Sequence, residues 1–227
     1  MKSPLPVLLS LNAGYIDTAG FLALQGLFTA HVTGNFVTLG AALVLGTSGA
    51  MAKLFALPTF CVVVIVTRLI SYGLSARRLP ILRTMLTLKT ALLIVGAALA
   101  IRFGPFSNGD GWAALVTGLT LVSAMAIQNA AHRIHLGSAP PTTLMTGTTT
   151  QIMIDVADLL RGAKPETRDA LRSRLARMAT SVGAFAVGCA AAALLFAGFS
   201  VWCFVVPPVI ALGTLALRMA TFEGDVG

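Results

Sequence analysis

Apolar residues run through this chain in long, nearly unbroken stretches instead of alternating with polar ones. Runs of about 20 residues, enough to cross a bilayer as helices, fall near positions 5 to 27, 54 to 76, 84 to 102, 112 to 131, 178 to 198 and 200 to 219. The pattern predicts six transmembrane helices. Two further stretches, 33 to 46 and 143 to 160, start with Thr and Gly and are too short or too polar for a full crossing. They read as re-entrant half-helices, which enter and leave a bilayer on one side. The first run follows Lys2 as a signal peptide would, but Asp17 interrupts it and no small-residue cleavage site follows, so it reads as the first span. The fold class expected is all-α and polytopic, with one transmembrane domain over residues 1 to 227.

Composition narrows the class further. Of 227 residues, 56% are hydrophobic and 11% charged, where a soluble domain carries about 25% charged residues. That excludes both a soluble globular protein and a disordered chain. A net charge of +8 would point to nucleic acid in a soluble protein, but no basic run is interleaved with aromatics, so no nucleic-acid partner is expected.

The cations instead set topology. With a cytoplasmic N-terminus, the inner side collects Lys2, Arg77, Arg78, Arg83, Arg133, Arg161, Lys164, Arg168, Arg172, Arg174, Arg177 and Arg218, and the outer side only Lys53 and Arg102. Such a bias places both termini in the cytoplasm. It also makes 143 to 160 return to the side it entered, because a full crossing there would put one basic loop outside. By the same logic 33 to 46 dips from the outer side. Trp112 and Trp202 then start spans at the outer interface. Cys61, Cys189 and Cys203 lie in apolar runs without ligand spacing, so neither a metal site nor a cofactor is expected.

The two halves repeat. Asp17-Thr18-Ala19 followed by His31-Val32-Thr33-Gly34-Asn35 has a counterpart in Gln128-Asn129-Ala130 followed by Leu144-Met145-Thr146-Gly147-Thr148. Each half reads as span, Thr-Gly half-helix, span, span. The repeats cover about 5 to 105 and about 111 to 220, and three spans per half make the second inverted relative to the first.

The run Ala13-Gly14-Tyr15-Ile16-Asp17-Thr18-Ala19-Gly20-Phe21 through His31-Val32-Thr33-Gly34-Asn35, with Thr143 to Thr148, resembles the YoaK-like family of bacterial inner-membrane proteins, a domain of unknown function. The resemblance covers essentially the whole chain. It implies about six spans and a bacterial inner-membrane address, and it supplies no substrate. Family members often carry Asn where this chain has Thr148.

The chemistry expected of the motif follows from helix ends. A half-helix that starts inside a bilayer exposes unpaired amides and the positive end of its dipole, which favour an anion or a polar group. Thr33, Asn35, Thr146 and Thr148 can cap those amides or meet a solute, while Gly34 and Gly147 permit close backbone approach. Asp17, about 18 Å along the first span at 1.5 Å per residue, should lie near the bilayer centre, and Arg68 at a similar depth is the expected partner of a charge pair. Protonation of Asp17 during transport is the other reading. Gln128 and Asn129 are the neutral counterparts in the second half, and His31 is a candidate pH-sensitive gate. Lys89 is expected to snorkel to the inner interface, His132 and His135 to face headgroups or water, and Asp155, Asp158 and Arg161 to pair along one helix. Small faces at Ala184, Gly188 and Ala192 and at Gly96 and Ala100 allow close helix contact, within one chain or between two copies of a homodimer.

These readings favour a small transporter or channel for a small polar or anionic solute, bound where the two half-helix starts meet, with Asp17 as the candidate for proton coupling. The alternative is a non-transporting scaffold or regulatory protein that binds a partner or membrane lipid through its basic face. An enzyme is not expected, because no His-Glu-x-x-His, Gly-x-Ser-x-Gly or paired Asp motif is present.

Overall fold

A computed structural model describes residues 4–162 and 164–223, with side chains up to Leu217. Lys2 and the side chain of Arg218, both counted toward the basic side, lie outside the described residues. No strand occurs among those described, and eight α-helices carry the fold. They are α1 (Leu5–Ala23), α2 (Asn35–Leu45), α3 (Ala50–Ala76), α4 (Ile81–Phe103), α5 (Trp112–His135), α6 (Met145–Arg161), α7 (Pro165–Phe199) and α8 (Val206–Glu223). Short 3-10 turns at Val32–Gly34 and Ser200–Val205 lead into α2 and α8. Among the described residues α1, α3, α4, α5 and the continuous stretch Pro165–Leu217 are long and apolar enough to cross a membrane.

Helix ends follow from local chemistry. The apolar run 5 to 27 outlasts α1, because Gln25 and Gly26 take positive φ of 55° and 86°. That turn lets the Gly26 N–H donate to Phe21 O at 2.9 Å and close the helix. Leu24 before the turn and Leu27 after it both go into the core, which is why the hydropathy pattern does not register the break. At the start of α3, Asp110 accepts from the amides of Gly49 and Met51, both at 2.9 Å. A carboxylate there meets unpaired amides and the positive end of the helix, so α3 begins four residues before the apolar run does. Gly46 (φ 65°) and Gly162 (φ 94°) end α2 and α6.

Close backbone contact joins α1 to α7. A Cβ on Gly14 would lie 2.1 Å from Phe185 O, and one on Gly188 would lie 2.1 Å from Leu11 O. Ser10 and Ser181 share a hydrogen bond of 2.7 Å further along, so the two helices run parallel. The expected small face at Gly188 and Ala192 is thus used within the chain. Gly96 serves likewise, since a Cβ there would meet Leu121 of α5 at 2.4 Å.

The remaining pairings orient the bundle. Along α8, Leu215 packs on the cluster of Leu5, Leu9 and Leu86, Pro207 lies by Asn12 and Cys203 of the preceding turn by Tyr15, so α8 is antiparallel to α1. Met85, Lys89 and Gly96 of α4 meet Ile127, Gln128 and Leu121 of α5 in antiparallel order. Helix α3 starts beside Asp110, just ahead of α5, and Val63 packs at the level of Ile127, so α3 and α5 are parallel. Helices α2 and α6 form hairpins on α3 and α7. One end of the bundle carries Arg77, Arg78, Arg83, Arg133, Arg161 and the basic first turns of α7, and the other carries Lys53, Arg102, Trp112 and Trp202.

Candidate functional site

Buried polar residues gather at the turns that follow α1 and α5. After α1 the chain folds back alongside it instead of continuing outward. Gly20 makes room, because a Cβ there would meet Thr29 Cγ2 at 2.8 Å. The buried Asp17 carboxylate then accepts three backbone N–H groups through Oδ1, from Thr29 (2.7 Å), Ala30 (2.7 Å) and His31 (3.3 Å). Thr29 Oγ1 also donates to Ile16 O at 3.3 Å. An anion satisfied by oriented amides needs no cationic side chain. Arg68, expected as its partner, instead lies over the Tyr72 ring, 4.3 Å from the centroid. Asp17 and Arg68 read as lying at similar depth from their positions along the spans, but a backbone turn lies against the acid first.

The Thr-Gly-Asn motif holds that turn together. Asn35 Oδ1 accepts from Phe28 N at 2.9 Å, and Asn35 Nδ2 donates to Phe28 O at 2.8 Å, so the amide closes a loop from 28 to 35. Gly34 sits where a Cβ would lie 2.9 Å from the Phe28 ring and 3.0 Å from the His31 ring. Neither Thr33 nor Asn35 caps α2 through its side chain. The buried Asn35 closes the loop instead, while Thr33 is exposed.

The second turn, from 136 to 144, is held by the counterparts of Asp17 and Thr18. Gln128 Nε2 donates to Thr142 Oγ1 (3.1 Å) and to Leu9 O (3.0 Å), and its Oε1 accepts from Lys89 Nζ at 2.6 Å. Thr143 Oγ1 donates to Asn129 Oδ1 at 2.7 Å, while Asn129 Nδ2 donates to Met125 O. Ser181 Oγ donates to Pro141 O at 3.3 Å. Lys89 is therefore fully buried and does not snorkel, because Gln128 gives its ammonium an acceptor inside the bundle. His132 is buried too and does not face headgroups, and its Nε2 has no partner. In α6, Thr148 Oγ1 donates to Leu144 O, Thr146 is exposed and Gly147 has open space where a Cβ would go. These three start a helix but do not meet the first turn. Asp155 pairs with Arg174 of α7 and with Gln151, not with Arg161 on its own helix.

Both turns line one cavity of about 390 Å³ between α3 and α5. Ala30, His31, Val32 and Thr33 contribute from the first turn, and Thr143 and Leu144 from the second. Leu57, Phe60, Val64 and Arg68 line it from α3, and Asn129, Ala130, Arg133 and Ile134 from α5. Of the residues expected at a substrate site, His31, Thr33, Asn129 and Arg68 line the cavity. Asp17, Gly34, Asn35 and Gln128 stand behind it and hold its walls, and Thr146, Gly147 and Thr148 lie outside. Arg133, Thr142 and Thr143 are absent from the site that the sequence predicts: Arg133 reads there as a topology cation, and the threonines precede the Thr-Gly pair. No carboxylate lines the cavity, and among the described residues no group of His, Cys, Asp or Glu is placed to hold a metal ion. A larger cavity of about 950 Å³ opens at the basic end between the start of α1, the stretch 136 to 140 and α7, with Arg172 and Arg177 in its wall. The stretch from 136 to 144 thus separates the two cavities.

The chain is similar to known proteins over nearly its whole length. The family model described as "Protein of unknown function (DUF1275)" matches residues 5–217. The UPF0700 transmembrane protein YoaK of Bacillus subtilis (strain 168) is 30% identical over 234 residues, covering 99% of this chain and 97% of its own length. No solved structure matches the chain.

Proposed function

With the chain belonging to the DUF1275 family of membrane proteins, we propose that it is a small carrier for a small polar or anionic solute, which occupies the cavity between the two turns. One observation carries this reading: turns from both halves of the chain meet at a single cavity lined by His31, Thr33, Asn129, Thr143 and two arginines. Broken helices that converge in this way form midplane sites in many secondary transporters.

The architecture proposed is a 3+3 inverted repeat with six crossings and two re-entrant half-helices. Exchanging the first four helices with the last four turns the parallel α1 and α7 pair into the α5 and α3 pair, and the α2 hairpin on α3 into the α6 hairpin on α7. Asp17 and Gln128 do the same job in the two halves, each tying down the turn that follows its own helix. The basic end supports an orientation with both termini cytoplasmic in a bacterial inner membrane.

A mechanism follows from how the turns are held. Asp17 grips the first turn only as long as it is an anion, since a protonated carboxyl accepts amide hydrogen bonds more weakly. Protonation would release Thr29 to His31 and loosen the cavity wall on that side. The second turn is gripped by amide and hydroxyl groups, Gln128 on Thr142 and Asn129 on Thr143, with Lys89 behind Gln128 and no carboxylate, so Asp17 coupling is asymmetric. Uptake by proteoliposomes, measured for a panel of small polar and anionic solutes, tests the reading. Flux that depends on pH in the wild type and loses that dependence in Asp17→Asn is expected. No flux for any solute would overturn the carrier, and unchanged pH dependence in Asp17→Asn would overturn the coupling.

A further inference from the structure

The hydrogen-bonding capacity left free in the cavity says what it can hold. Asn129 and Thr143 are already engaged with each other, and Asn129 Nδ2 is bound to Met125 O. They have little to offer a sugar or another neutral polyol, which needs many donors and acceptors. The guanidinium groups of Arg68 and Arg133 are different. Both line the cavity, and no ion pair of either is found among the described residues. Asp17 binds amides of the first turn, Asp110 caps α3 and Asp155 takes Arg174. A guanidinium matches the planar fork of a carboxylate or phosphate.

Much of the remaining wall is apolar, including Leu57, Phe60 and Val64 from α3. An inorganic ion would leave that surface against water and the volume unfilled. About 390 Å³ falls within the range of small-molecule sites. We infer that the cavity takes an amphiphilic anion, with a carboxylate or phosphate head between Arg68 and Arg133 and an apolar body against α3. A dissolved organic acid and an anionic lipid both carry this chemistry. The inference deepens the proposed function and rests on the same cavity being a ligand site.

Calorimetric titration of the purified full-length chain in phosphatidylcholine nanodiscs tests it, with benzoate and hexanoate against benzamide and chloride. The carboxylates should bind at least about tenfold more tightly than either control, the discrimination a charge-assisted hydrogen bond supplies. Arg68→Gln and Arg133→Gln should each weaken benzoate about tenfold, Arg68→Lys should restore part of the loss, and Arg83→Gln should change nothing. The wild-type ligand series stands without any variant, so a variant that fails to fold does not remove the test. Nanodiscs containing phosphatidylglycerol separate the sources: unchanged benzoate affinity identifies a dissolved acid, and competition lost in Arg133→Gln identifies a lipid. Benzamide or chloride binding as tightly as benzoate, or no carboxylate binding at all, would overturn the inference. Carboxylate binding without flux keeps this site and removes the carrier, whereas flux of a neutral solute without carboxylate binding does the reverse.

Discussion

Asp17 is the residue on which the first turn depends. Three amide N–H groups converge on one of its oxygens, and removing the acceptor leaves them unpaired in a buried place. Asp17→Ala should therefore cost on the order of 2–4 kcal/mol of stability. Asp17→Asn keeps an oxygen at the same position and should cost roughly half as much. Thermal unfolding in detergent measures both, and equal losses would show that the amide contacts are not what the carboxylate supplies. The carboxylate's importance was legible from its mere presence in an apolar run, because such a charge must be satisfied. Its partner was not, since amides are invisible to a search for an opposite charge. Lys89 misled for a related reason: its acceptor, Gln128, comes from the other half of the chain, so nothing near it in sequence distinguishes burial from snorkelling.

At the scale of elements, two helix pairs make testable claims. Gly188 packs against the backbone of α1, whereas Gly183, five residues earlier and on another face of the same helix, has open space around it. Gly188→Ala should destabilise by about 1–3 kcal/mol through overpacking. Gly183→Ala should be neutral or stabilise by up to about 1 kcal/mol, the helix-propensity gain. A comparison of their melting temperatures checks the α1 and α7 crossing directly. The small-residue spacing announced a close contact but could not name the partner helix, which depends on topology. The second claim concerns α6 and α7. The hydrogen bonds from Arg174 hold the Asp155 carboxyl below the ordinary carboxylate range, against the opposing effect of burial. A depressed native value contributes stability above the unfolded pKa of about 4 and loses it as pH falls through the native value. Arg174→Gln should accordingly lower the melting temperature at pH 7, and the gap from wild type should narrow below about pH 4. A gap of the same size at pH 3 would remove the ion pair from the account.

Across the whole molecule, the order of elements and the two Thr-Gly starts were readable because they rest on run length and local polarity, which need no partner. Helix ends were less so: Leu24 and Leu27 keep the run apolar across the turn at Gln25 and Gly26, and a capping acid 59 residues beyond Met51 lets α3 begin early. The cavity itself was half legible. His31 and Thr33 stood next to the motif, but Arg133 and Thr143 reach the same space only once α5 packs beside α3. A carrier's solute site opens in turn to each side of the membrane, and the cavity between the two turns is proposed as that site. Ala130, a small residue in its wall, allows that to be measured without knowing the solute. With Cys61, Cys189 and Cys203 replaced, Ala130→Cys in sealed vesicles of known orientation should react with a membrane-impermeant thiol reagent added to either face. Reaction from neither face, or from one face under all conditions, would contradict the account.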